Sequence, residues 1–74
     1  MRQSATDLLR ATSLDTLRSR MADASDRDVL SACASIAAEI DGCIEMGGRV
    51  LDWDTERFDE LNGELVRRGV YPGQ

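Results

Sequence analysis

Seventy-four residues, a net charge of −5 and two cysteines without any histidine set narrow bounds on this chain. A chain this short forms one domain, and a lone core of this size supplies roughly 3–5 kcal/mol, so a second copy or another protein is expected to add to it. The acidic balance argues against a nucleic-acid backbone as the main partner, because that needs a basic surface. The absence of histidine and of CxxC spacing leaves no usual zinc set, so no metal and no cofactor is expected.

No apolar run approaches the roughly 18 residues of a membrane span. The opening "MRQSATDLLRATSLD" has no apolar secretory core, and two cysteines in such a chain point to reduced thiols in a cytoplasm. All nine basic residues are arginine, a bias expected of a GC-rich bacterium or one of its phages.

Strand-like alternation is missing, and the apolar positions follow a helical period. In the N-terminal third, Ser4-Ala5-Thr6-Asp7 reads as a helix start with an acid in the first turn. Leu8 and Leu9 follow. Leu14, Leu17 and Met21 then form their own stripe, and on one continuous helix Leu9 would lie about 110° away from it. A break near Thr12-Ser13, with Ser13 capping a second piece, relieves the conflict; a single helix with a broad apolar face is the alternative. Residues 1–12 are expected to be a flexible segment until bound, followed by a single helical domain over 13–70 and a tail at 71–74.

Ser25, with Asp26 and Asp28 behind it, is a helix N-cap, and the helix should run to Met46, where Gly47-Gly48 stops it. The spacing then predicts a helix over 54–68, capped by Asp52 or Asp54 and carrying Phe58, Leu61 and Leu65. A start as early as Arg49 is the alternative. Arg67 and Arg68 suit the negative end of that helix, Gly69 ends it, and Val70 sits where a Schellman motif places its apolar contact.

The central helix has two sides of different character. Val29, Cys33, Ile36, Ile40 and Cys43 keep an a/d spacing, with Leu30, Ala37 and Ile44 widening the stripe. Opposite them Ser31, Ser35, Ala38 and Gly42 form a ridge of tiny side chains. Such residues permit close approach of another helix, although alanine and serine are also ordinary helix-surface residues.

Chemistry is sparse. Cys33 and Cys43 are ten residues apart on one helix, about 15 Å along its axis. A disulfide needs Cα atoms within about 7 Å. Buried small hydrophobes is the simpler reading of both. The acids of "DASDRD" and "LDWDTERFDE" fit no calcium loop and read as caps and solvated faces. Trp53, beside the turn, either covers the open end of the core or anchors an interface.

The chain therefore reads as all-α, a helical hairpin over 26–46 and 54–68 with a short N-terminal helix across it, in a three-helix arrangement that oligomerises. No catalysis is expected. The expected function is protein binding, as a small cytoplasmic regulator or inhibitor, through Leu8, Leu9, the ridge of Ser31, Ser35, Ala38 and Gly42, or Trp53. A self-assembling structural subunit is the second reading, and a DNA mimic or DNA-associated regulator the third.

Overall fold

The computed structural model of the protein describes residues 2–70. Four helices follow one another: α1 (Ala5–Leu9), α2 (Leu14–Ala22), α3 (Asp26–Glu45) and α4 (Asp52–Arg68). The fold is all-α, as expected; both N-terminal pieces on either side of Thr12-Ser13 are helices, so there are four helices among the described residues rather than a three-helix arrangement. Tyr71 and the rest of the tail lie outside the described residues.

The starts of α1, α2 and α3 each follow from a short polar side chain. The Ser4 hydroxyl accepts the Asp7 N–H, and the Asp7 carboxylate accepts the Ser4 N–H at 2.9 Å, a reciprocal capping box. Ser13 and Ser25 likewise accept the N–H groups of Thr16 and Asp28, each at 3.2 Å. The break at Thr12-Ser13 is therefore real, and it lets Leu8 and Leu17 reach one core.

Two glycines make the ends. Gly47, at φ +73°, and Gly69, at φ +68°, adopt the left-handed conformation that side chains oppose. Beyond them Gly48 donates to the Cys43 carbonyl at 2.7 Å and Val70 to that of Leu65 at 3.1 Å. Both are Schellman closures, and Val70 packs against the core as its position predicts.

The start of α4 differs from both expected positions. Leu51 is the N-cap and offers no side-chain acceptor; Asp52 and Asp54 lie inside the first turn. Asp54 does not cap because its carboxylate holds Arg57, at 2.6 Å. The acids still suit the positive end of the helix dipole.

α3 and α4 form an antiparallel hairpin. α1 packs on α3, α2 on α4, and the two short helices on each other. The described chain spans 38 × 31 × 16 Å, a slab two helices thick given interaxial distances of roughly 8–10 Å. The core lies between the layers, with Leu8, Leu17, Val29, Ile36, Leu61 and Leu65 its largest fully buried side chains. Residues 2–12, expected to be flexible, place Leu8 and Ala11 in that core, and Gln3 donates to the Asp23 carbonyl at 3.0 Å.

Candidate interaction surface

The buried face of α3 is turned from the expected stripe. Val29, Cys33 and Ile36 are buried as anticipated, but Ala32 joins them, while Leu30 and Ile44 are exposed. The covering layer explains the turn. At about 100° per residue, Ala32 and Glu39 share one flank of α3, and Leu30, Ala37 and Ile44 share the other. Arg57 on α4 bridges Glu39, at 3.0 Å, and the Leu9 carbonyl, at 3.4 Å, so the Ala32/Glu39 flank lies under α1. The Leu30 flank is left outside.

The flanks of α4 divide the same way. Arg57, Glu60, Glu64 and Arg68 turn toward the short helices. Arg18 of α2 meets Glu60 at 2.7 Å. Arg68 serves four acceptors at once: Glu64, Asp26 and the carbonyls of Met21 and Ala24, at 2.7–3.1 Å. It thereby closes the C-terminal end of α2, whose last carbonyls have no helical partner. Arg20 does the same for α1, reaching the Asp7 carbonyl at 2.6 Å. Val66 projects from the opposite flank of α4, away from this layer, and Leu51 is exposed at the N-cap beside the bend.

The outer face of the hairpin thus collects exposed apolar side chains from both helices. Leu30 is 42% exposed, Val66 54%, Ile44 62% and Leu51 64%. Met46, 89% exposed, lies beside them at the bend. Single exposed leucines are ordinary, whereas several on one face of one hairpin mark a surface.

The residues singled out in the sequence fall in different places. Leu8 is in the core and Leu9 packs half-buried against it, so their side chains serve the fold. Ser31, Ser35 and Ala38 are exposed and Gly42 is half-buried. A Cβ on Gly42 would meet nothing within 4 Å, so no other helix of the described chain seats on the ridge. Trp53 is half-buried outside the core cluster, with the Arg57 guanidinium 6.0 Å from its ring, the outer limit of a cation–π contact. Neither Leu51 nor Val66 was among the expected interface residues. Val66 falls off the Leu61/Leu65 stripe of its helix, whereas Leu51 keeps the spacing of that stripe and is exposed because it stands at the N-cap, outside the helix.

A shallow open groove of about 400 Å³ lies between α2 and α4, lined by Arg18, Met21, Ala22, Glu60, Glu64 and Arg67. Its charges are spent on one another, Arg18 with Glu60 and Arg67 with Glu64 at 2.9 Å. The hydrogen bond from Arg18 holds the Glu60 carboxyl below its ordinary range, and that from Arg68 does the same for Glu64. Both stay ionised near neutrality and neither is poised to exchange a proton. Among the described residues no three histidine, cysteine or acidic side chains gather as a metal set, and no helix is long and apolar enough to cross a membrane. No protein-family model matches the chain, and no curated protein or solved structure is detectably similar to it.

Proposed function

We propose that the protein is a non-catalytic binding module, a small regulator or inhibitor that engages another protein through the outer face of the α3/α4 hairpin. The exposure of Leu30, Ile44, Leu51 and Val66 on that one face carries the reading. A helix-in-groove or helix-on-helix contact removes such side chains from water, at roughly 25 cal/mol per Å² of apolar surface. The pairing of the charges in the α2/α4 groove supports a role without catalysis. Cys33 is buried in the core as a small hydrophobe, in keeping with a reducing, cytoplasmic setting.

Capture experiments test this. The immobilised chain and its Leu30→Gln/Ile44→Gln variant are exposed to lysate of the source organism, after circular dichroism shows equal helix content. A protein retained by the first and lost with the second is the expected result. Equal retention by both, or no retention by either, would overturn the reading.

A further inference from the structure

The ends of the hairpin differ in charge, and the last turn of α3 is charged against the helix dipole. A helix favours anions in its first turn and cations in its last. α2 ends with Arg20 and α4 with Arg67 and Arg68, but the last turn of α3 carries no basic residue. It carries Glu45, with Asp41 one turn earlier, both exposed. At the other end Arg27 lies in the first turn between Asp26 and Asp28; Asp26 is paired with Arg68 and Asp28 is bonded to the Ser25 cap, which leaves the Arg27 charge unmatched. Among the described residues Arg27, Asp41 and Glu45 make no ion pair. The bend's one base, Arg49, lies outside the helix.

We propose that a second copy of the chain covers the outer hairpin face, with its α3 antiparallel to this one. The proposal rests on the reading of that face as a protein-binding surface and names its resting occupant, which the other protein displaces. A two-fold axis crossing α3 near its middle places Arg27 of each copy opposite the Asp41–Glu45 acids of the other. The same operation sets the negative end of each helix dipole beside the positive end of its neighbour. It brings Leu30 of each copy toward the end that bears Ile44. The residues at the crossing, Ala34 and Ala37, are small enough for the helices to approach closely. Antiparallel symmetry satisfies all of these conditions because the contact is self-complementary. A parallel pairing would set Arg27 against Arg27 and Glu45 against Glu45. The contact strip is turned about 100° from the ridge of Ser31, Ser35 and Gly42, which stays in solvent.

Multi-angle light scattering across a hundredfold range of concentration tests the proposal on the full chain. A dimer mass that falls to the monomer on dilution is expected, and a monomer mass throughout overturns it. Leu30→Gln/Ile44→Gln is expected to weaken the dimer by at least about tenfold with helix content unchanged; an unchanged dimer overturns the face. Arg27→Glu and Glu45→Arg are each expected to weaken it roughly five- to tenfold, the scale of two exposed ion pairs. The doubly exchanged chain is expected to recover, and failure to recover overturns the antiparallel register. A chain that stays monomeric yet captures a protein through Leu30 and Ile44 overturns the self-pairing while leaving the binding function intact.

Discussion

At the scale of single residues, the division of labour is between side chains that fill the core and arginines that close backbone ends. Leu61 and Leu65 are fully buried on α4, the helix with the lowest apolar content of the longer ones. They hold the hairpin and the α2 layer together. Leu61→Ala is expected to cost about 2–5 kcal/mol, from lost transfer energy and the cavity left behind. Met46→Ala, at a side chain 89% exposed, is expected to change stability by less than about 0.5 kcal/mol. Urea titrations of both variants read the contrast; equal losses would contradict this placement of the core. The arginines carry a different lesson. Their abundance reads as genome bias, which says nothing of position. Arg57 and Arg68 nevertheless sit where a planar five-donor fork reaches several acceptors at once, which lysine cannot reproduce. Sequence alone did not show this, because Arg68 is matched to carbonyls more than forty residues away.

At the scale of elements, the serine starts and glycine stops were legible because each is a local bargain between one side chain and the nearest backbone groups. Ser13, Ser25, Gly47 and Gly69 all act as their types require. The start of α4 was not legible, since two acids competed for the cap and Arg57, three residues further along the same helix, took one of them. The core face of α3 was legible only in its centre line. Whether Leu30 or Ala32 is buried depends on which side the short helices lie, and no pattern within α3 encodes that. The glycines give an element-level test. Gly42 is inside α3 with open space where a Cβ would go, so Gly42→Ala is expected to stabilise the fold by about 0.5–1 kcal/mol through helix propensity. Gly69→Ala, at φ +68°, is expected to destabilise it by about 1 kcal/mol, because alanine must take the left-handed conformation. Thermal melts read the opposite signs. Destabilisation by Gly42→Ala would mean that something packs closely on the ridge after all.

For the whole molecule, the two layers are joined by apolar burial and, at their rim, by carboxylates paired with arginines. This makes stability depend on acid. Glu60 is held below its ordinary value of 4.5 by the hydrogen bond from Arg18, and Glu64 by the bonds from Arg68 and then Arg67. Asp7 is lowered chiefly by the Ser4 backbone N–H, then by its hydroxyl. The unfolded chain binds protons more readily at these groups than the native one, so stability rises with pH through the interval between the two values. The contribution is complete above the unfolded-state value. It is lost as pH falls below about 4.5 and through the depressed native values. The arginine partners do not titrate in this range, so the carboxylates alone set the window. The melting temperature, taken at one fixed protein concentration, is therefore expected to be nearly flat from pH 7 to 5.5 and to fall below 4.5. Glu60→Gln/Glu64→Gln is expected to melt lower than the parent at pH 7, because Arg18 and Arg68 lose charged acceptors, and to show a shallower drop below pH 4.5. The two curves should converge in acid, where the parent's carboxylates are protonated as well. A drop equally steep in the variant would place the acid sensitivity elsewhere, in Asp7 and the remaining caps, and would leave the α2/α4 rim with little part in holding the layers together.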